Sequence, residues 1–270
     1  MSDRYGVIGH PIAHSKSPII HALFADQTGQ EIRYEAFDIP PAELNTQFRA
    51  LVKDGLRGLN VTVPHKEAMA ELVDTCTPRA ELAGAVNTVT VGDDGKLSGD
   101  NTDGVGLTRD LDRNLDVDIR DAHILILGAG GAARGVIPAL LMAGPAEVCV
   151  ANRTVERAQE LAERFSDLGE IRACSFDELG EETFDLVINA TSAGLSGELP
   201  PFPDGIIGRG TICYDLSYAM SETPFVKWAR EHGAQAAHQG WGMLVEQAAE
   251  AFKIWRGVRP DTRPVLRRLP

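Results

Sequence analysis

Lys66 follows a run in which polar and apolar residues alternate, Asn60-Val-Thr62-Val-Pro64-His65. Alternation sets Asn60, Thr62 and Pro64 on one face and Val61 and Val63 on the core face, and the lysine then opens the helix that follows. A cation in the first helical turn opposes the helix macrodipole; a purely structural role leaves that unexplained, whereas proton transfer would use it. Downstream, Gly99-Asp100-Asn101-Thr102-Asp103-Gly104 supplies Asp103, a carboxylate able to hold and orient that lysine, or else one member of an Asp-rich surface turn. Nearer the N-terminus, Ser15-Lys16-Ser17-Pro18 sets two hydroxyls where a helix begins. They form either a cradle for a carboxylate over unsatisfied N–H groups or a helix cap and its neighbour.

A second kind of chemistry is written in Ile124-Leu-Ile-Leu-Gly128-Ala129-Gly130-Gly131-Ala132-Ala133. An apolar strand runs into Gly-x-Gly-x-x-Ala and then an apolar helix, with a second strand within a unit of about 30 residues, the context a dinucleotide-binding turn requires. Gly128 permits the tight turn, Gly130 lets the backbone approach a pyrophosphate, and Ala133 lets helix and strand pack closely. The next strand ends in Asn152-Arg153-Thr154, the position that faces the adenosine ribose. A carboxylate there would select NAD; a guanidinium with amide and hydroxyl donors suits a 2′-phosphate, so NADP is expected, with a helix cap by Asn152 and Thr154 as a parallel role.

The elements that position these groups fall into two series. Residues 5–9, 32–37, 59–63 and 86–91 read as strands, separated by helices at 17–27, 42–54 and 66–73. The pattern changes near residue 104, where strands at 123–127, 147–151, 171–174, 186–190 and 211–215 alternate with helices ending at 142 and spanning 155–165. From Gly242 onward, Met243, Leu244, Gln247, Ala248, Ala251, Phe252 and Trp255 recur at helical spacing, giving a final helix able to pack back on the first half. The expectation is an α/β protein of two domains. One comprises 1–103 completed by 242–270; the other is a Rossmann-type, doubly wound domain at 104–241, and the Asp100–Gly104 turn lies at their junction.

Composition narrows the partners. A net charge of −13 disfavours duplex nucleic acid and anionic lipid, and the only dense basic cluster, Arg263 with Arg267 and Arg268, reads as a solvated tail. No apolar stretch approaches the ~20 residues that cross a bilayer, and the opening residues lack the basic and apolar regions of a signal peptide, so a cytoplasmic protein is expected. Cys76, Cys149, Cys174 and Cys213 have no ligand spacing and read as small hydrophobes, and no metal site is expected. His10, His14 and His21 read as surface or satisfied structural residues.

Taken in order, Ser15-x-Ser17-Pro18, Asn60-x-Thr62-x-Pro64-x-Lys66, Gly84-Ala-x-Asn87-Thr88, Asp100-Asn-Thr-Asp103-Gly104, Gly128-Ala-Gly-Gly131-Ala, Asn152-Arg153-Thr154, Asn189-Ala-Thr-Ser192 and Gly242-Met-Leu-Val-x-Gln247-Ala248 closely resemble the shikimate dehydrogenase family over nearly the whole chain. The resemblance implies hydride transfer between NADP and the ring carbon of shikimate or 3-dehydroshikimate, a step toward aromatic amino acids. It implies Lys66 and Asp103 as the catalytic pair. Ser15, Ser17, Thr62, Asn87, Asp103, Tyr218 and Gln247, together with Lys66, match positions that bind the substrate, and Asn60 is a weaker match. Gly128, Ala129, Gly130, Gly131, Ala132, Asn152, Arg153, Thr154, Leu216 and Gly240 match cofactor contacts.

The chain departs from the family at His65, where an aromatic residue is common, and in Asp215-Leu-Ser-Tyr218-Ala-Met. His65 offers a rival acid/base, since an ordinary imidazole titrates near neutrality. Two further readings stand beside the first: a broader quinate/shikimate dehydrogenase using NAD or NADP, and a non-catalytic NADP-binding sensor on the same fold. A monomer or a homodimer is expected.

Overall fold

After its first two residues, β1 (Asp3–Gly9) has five consecutive buried positions, the mark of a strand covered on both faces. It founds the sheet of the first of two units, Met1–Leu107 with Leu244–Leu269, the second unit being Thr108–Met243. The division falls within two helices, Asp103–Arg109 and Trp241–Arg256, rather than at the 103/104 and 241/242 boundaries read from the sequence. The computed structural model describes residues 2–191, 199 and 202–269.

In the first unit β1 is followed by α1 (Ser17–Thr28), β2 (Ile32–Asp38), α2 (Leu44–Lys53), β3 (Leu56–Val61), α3 (Lys66–Leu72), β4 (Thr75–Cys76), α4 (Pro78–Ala83), β5 (Thr88–Val91), β6 (Leu97–Asp100) and α5 (Asp103–Arg109). The strand order is β2-β1-β3-β5-β6-β4. β1 pairs in parallel with β2 and β3, while β5 lies antiparallel to both β3 and β6, so the sheet is mixed where the sequence suggested a plain βαβ alternation. α1 starts with Pro18 in its first turn, where a missing N–H costs nothing, and stops at Gly29, whose φ of 63° admits the left-handed cap.

The second unit runs β7 (His123–Leu127), α6 (Gly131–Met142), β8 (Glu147–Ala151), α7 (Val155–Phe165), β9 (Ile171–Cys174), β10 (Phe184–Asn189), β11 (Ile207–Asp215), α8 (Pro224–Glu231) and β12 (Ala236–Gln239) into the start of α9 (Trp241–Arg256); a short α10 (Arg263–Leu266) ends the chain in the first unit. Its sheet has the order β12-β11-β10-β7-β8-β9, all parallel. The chain order reverses between β7 and β10, and in open parallel sheets ligands bind beyond the carboxyl ends of the strands at that switch point. Leu125, Leu127, Cys149, Val187 and Cys213 from the strands pack with Phe225 and Trp228 of α8. Among the described residues no helix is long and apolar enough to cross a membrane.

Within the first unit, Val245, Ala248, Ala249 and Phe252 of α9 share a core with Ile20, Phe24 and Ala25 of α1. That core also encloses an unexpected polar group. His21 is neither on the surface nor satisfied: it is fully buried, with both ring nitrogens lacking a hydrogen-bond partner. Its position is set by helical spacing, since Ser17, Ile20, His21 and Phe24 fall on one buried face. The ring stacks on Tyr34 at 4.1 Å and lies against Phe24, Phe252 and Trp255.

Desolvation outweighs the nearby Asn60 amide and pushes the His21 imidazole down to about 3. The folded state therefore excludes a proton that the unfolded chain takes up near 6.5, so stability present above that pH is lost as the pH falls toward 3. Between pH 7 and 5 this one group is expected to remove about 2 kcal/mol. In urea unfolding at the two pH values, His21→Phe should lack that component; an unchanged pH dependence would refute the assignment.

Candidate active site

Ser15, Ser17, Thr62 and Lys66 follow the carboxyl ends of two parallel strands. β1 and β3 end side by side, and the loops that leave them touch: the His10 N–H donates to the Val63 carbonyl at 3.1 Å, and a Cβ on Gly9 would stand 2.5 Å from the Thr62 methyl. The first loop carries Ser15 and leads to Ser17 at the start of α1, and the second carries Thr62 and leads to Lys66 at the start of α3. Ser15 Oγ accepts the Ser17 N–H at 3.3 Å, so Ser15 does serve the helix start. The hydroxyls of Ser17 and Thr62 make no hydrogen bond among the described residues, although Ser17 is buried. A capping role accounts for Ser15 and not for the other two.

Lys66 opens α3 as its first residue, and its Nζ meets Asp103 Oδ2 at 2.5 Å, with side-chain exposures of 13% and 5%. Asp103 is thus no surface turn residue. Its second oxygen accepts from Asn87 Nδ2 at 2.8 Å, and its backbone N–H is held by Asn101 Oδ1 at 3.1 Å. Asn87 Nδ2 also points to Thr102 Oγ1 at 3.0 Å and to Gln247 Oε1 at 3.4 Å. Lys66, Asp103, Asn87 and Gln247, spread over 182 positions of sequence, are therefore one hydrogen-bonded cluster. An ammonium has three N–H donors and, among the described residues, Lys66 spends one, so two remain for a ligand oxygen.

Two other groups are placed differently from what chemistry alone suggested. The Asn60 side chain turns inward, accepting from the Tyr34 hydroxyl at 2.7 Å and donating to the Asn87 carbonyl and Thr88 Oγ1 at 3.3 Å each. His65 is 1% exposed, and its Nε2 donates to the Ile39 carbonyl at 2.7 Å. The imidazole is committed to the core, which removes it as an acid/base.

In the second unit Gly128 leaves β7 with φ of 105°, and its α-carbon faces Ala190 and Thr191 so closely that a Cβ would lie 3.1 Å from their backbone. Ala129 is buried beside it, and Ala133 is fully buried where α6 packs on the sheet. Gly130 faces open space, with nothing within 4 Å of where a Cβ would be. Gly131 and Ala132 form the first turn of α6, whose leading N–H groups lack intrahelical partners. Unpartnered N–H groups beside open space at a helix start are able to receive an anion.

Beyond β8, Asn152 Nδ2 donates to the Thr154 carbonyl at 2.8 Å. The expected helix cap is not made: Thr154 stands at the N-cap of α7 with no side-chain hydrogen bond to the helix. Arg153 is exposed and makes no ion pair among the described residues. Leu216 follows β11, and Gly240 follows β12 so tightly that a Cβ there would lie 2.6 Å from the Leu216 carbonyl oxygen. Tyr218 packs on Trp241 at 4.6 Å. Ser192 lies outside the described residues.

The sequence reading gave Asp215 no role. It is fully buried at the end of β11, and burial pushes its carboxyl above the usual range against the pull of its donors. These are Thr223 Oγ1 at 2.7 Å, Ser217 N at 3.0 Å and Asn189 Nδ2 at 3.1 Å, so one carboxylate ties the ends of two strands to the loop carrying Leu216 and Tyr218. An acidic residue closing the apolar run Ile212-Cys213-Tyr214 was the available signal. Among the described residues no group of three or more His, Cys, Asp or Glu is arranged to hold a metal ion.

Comparison with known proteins supplies independent information. Residues 7–89 match the shikimate dehydrogenase substrate binding domain, 111–196 match shikimate / quinate 5-dehydrogenase, and 240–269 match the shikimate 5′-dehydrogenase C-terminal domain. A shikimate dehydrogenase (NADP(+)) of Alkalilimnicola ehrlichii is 56% identical over 266 residues, covering 98% of each chain. The structure of an Ael1 enzyme from Pseudomonas putida superposes with a TM-score of 0.91 at 44% identity, covering 99% of this chain and 98% of that one. A shikimate 5-dehydrogenase of Thermus thermophilus, solved in complex with NADP(H) and shikimate, gives 0.86 at 37% identity, covering 99% of both. With a relative this similar along nearly its whole length, the chain belongs to the shikimate dehydrogenase family.

Proposed function

We propose that this protein is an NADP-dependent oxidoreductase that interconverts shikimate and 3-dehydroshikimate, a step toward aromatic amino acids. The observation that carries the reading is the Lys66–Asp103 pair, buried, held by Asn87 and still able to donate, in a chain whose relatives bear that activity in their names. A non-catalytic sensor gives no reason to keep such a pair in place.

We assign the ring and its carboxylate to residues 1–103 with 242–270. Ser15 and Ser17 at the start of α1, with Thr62, receive the carboxylate and hydroxyls through hydroxyl and backbone N–H donors; Asn87 and Gln247 orient the ring hydroxyls, and Tyr218 is assigned to the substrate by the family resemblance alone. In oxidation the reacting carbon gives up a hydride and its hydroxyl gives up a proton. Lys66 passes one of its own protons to Asp103 and takes the hydroxyl's in its place, and in the reverse direction Lys66 Nζ presents an N–H to the ketone oxygen, polarises it and gives it the proton, which Asp103 makes good. Holding the oxygen in one geometry also removes the entropy of a chance encounter.

We assign NADP to residues 104–241. The turn Gly128, Ala129, Gly130, Gly131 and Ala132 fits a pyrophosphate, because Gly130 leaves the space and α6 the N–H groups. Asn152, Arg153 and Thr154 fit a 2′-phosphate, because the guanidinium lacks an ion-pair partner among the described residues. Leu216 and Gly240 line the neighbouring strand ends. When bound, the nicotinamide supplies the hydride acceptor or donor. Four free thiols favour a reducing compartment, and the cytoplasm is proposed on that ground. The groups named come from one chain, which a monomer or a homodimer supplies equally.

The direct test is absorbance of reduced nicotinamide with purified protein, NADP+ or NAD+, and shikimate or quinate. Turnover with shikimate and NADP+ is expected to dominate; its absence would remove the reading. Arg153→Ala should raise the KM for NADP+ about ten- to a hundredfold with little change for NAD+, the worth of a charge-assisted phosphate contact. Equal losses for both cofactors would reassign Arg153 to the surface. Lys66→Met keeps the length of the side chain and removes the proton carrier, so single-turnover reduction of NADP+ should slow at least ~100-fold while cofactor binding holds. Adding Asp103→Asn should then cost far less than it does alone, and full additivity would contradict a shared proton.

A further inference from the structure

Around Asn87 each hydrogen bond dictates the orientation of the next, and the sequence of bonds begins outside the cluster. The Asn60 amide nitrogen is fixed by the Asn87 backbone carbonyl, which can only accept, so Asn60 Oδ1 must face Tyr34 and the Tyr34 hydroxyl must donate to it at 2.7 Å. Thr88 Oγ1 accepts from the same Asn60 nitrogen at 3.3 Å and spends its one proton on Asn87 Oδ1 at 2.8 Å. That oxygen also accepts the Thr102 backbone N–H at 2.8 Å, which can only donate. The amide nitrogen of Asn87 is thereby turned toward Asp103 Oδ1 at 2.8 Å, and Asp103 Oδ2 is left for Lys66 at 2.5 Å.

We propose that Tyr34 of β2 is a positioning residue for the reaction, acting through Asn60, Thr88 and Asn87 to set the orientation of Asp103 against Lys66. All the members lie in the first unit, and Asn60, Thr88, Asn87 and Asp103 are buried, so water does not readily replace a missing partner. The Tyr34 ring is separately anchored by its stack on His21 at an interplanar angle of 6°, so the hydroxyl is delivered by a fixed ring. Loss of the hydroxyl leaves Asn60 Oδ1 buried without its Tyr34 donor, and the amide, then held through its nitrogen alone, loosens its hold on Thr88 Oγ1.

The proposal rests on the role assigned to Lys66 and Asp103, and its test separates the two. Tyr34→Phe deletes one oxygen and keeps the stacked ring. The kcat for shikimate oxidation, counted per NADPH-binding site, should fall about three- to tenfold, as expected for one neutral hydrogen bond, with the KM for NADP+ unchanged. In an Asn87→Ala background the same substitution should change kcat no further. Thr88→Val cuts the second and third links and should reproduce the loss, which keeps the idea testable if Tyr34→Phe does not fold. Wild-type kcat in both variants, or a loss that persists undiminished beside Asn87→Ala, overturns the relay while leaving Lys66 and Asp103 in their roles. Failure of the unmodified protein to oxidise shikimate overturns both.

Discussion

A buried amide must have its oxygen and both its N–H groups answered, and the first unit is arranged around one that has. Asn87 Oδ1 accepts from Thr88 and Thr102, and Asn87 Nδ2 faces Thr102, Asp103 and Gln247. These partners come from β5, the turn after β6, the start of α5 and the middle of α9, so four segments cannot shift independently without stranding a polar atom where water is absent. The Lys66–Asp103 pair depends on this. An ion pair with so little exposure repays its desolvation only if the remaining lone pairs are satisfied, and Asn87 answers one oxygen of Asp103 while Lys66 answers the other.

The second unit solves a different problem by different means. The surface proposed for the cofactor is mostly backbone: the turn after β7, the first N–H groups of α6 and the ends of β10 and β11. Side chains mainly brace it from beneath. Asp215, with Asn189, Ser217 and Thr223, is one such brace, placed under the segment where cofactor contacts are proposed. A single carboxylate accepting from three donors needs no cation nearby, because each donor offsets part of the cost of its burial.

Much of this was legible from sequence where buried parallel strands gave continuous apolar runs. β7, β8 and β9, with α6 and α7 between them, follow the apolar pattern to the residue. β6, whose sequence is Leu97-Ser-Gly-Asp, and β12, Ala-Ala-His-Gln239, have neither the alternation nor the bulk that marks a strand, and they exist because neighbouring strands supply their hydrogen bonds. α8 was readable and was passed over: Thr223 before Pro224 is a helix start, and the threonine does accept the Val226 N–H. In the site, residue type and spacing singled out Lys66 and left Asp103 open between its partner and a surface turn, and the structure pairs the two. They did not reveal that Asn60 turns inward or that His65 serves a carbonyl, because those outcomes turn on which backbone oxygens lie nearby after folding. His21 sat in plain view on the apolar face of α1, and only its polar name argued against the core.

At the start of α9 a Cβ on Gly242 would lie 1.8 Å from Asp110 Oδ1. The carboxylate occupies the volume that any larger residue would need, and it accepts the Tyr214 hydroxyl at 2.6 Å while that hydroxyl accepts the Met243 N–H at 3.2 Å. Positions 110 and 242 therefore share a single allotment of space. Over evolutionary time they are free to drift only as a couple: a side chain can appear at 242 only after 110 has become small, and then Tyr214 must find another acceptor. The glycine is held by the shape of its neighbour and not by any torsional demand of its own, so a comparison of distant relatives should read this corner as a linked set of columns and not as one invariant residue.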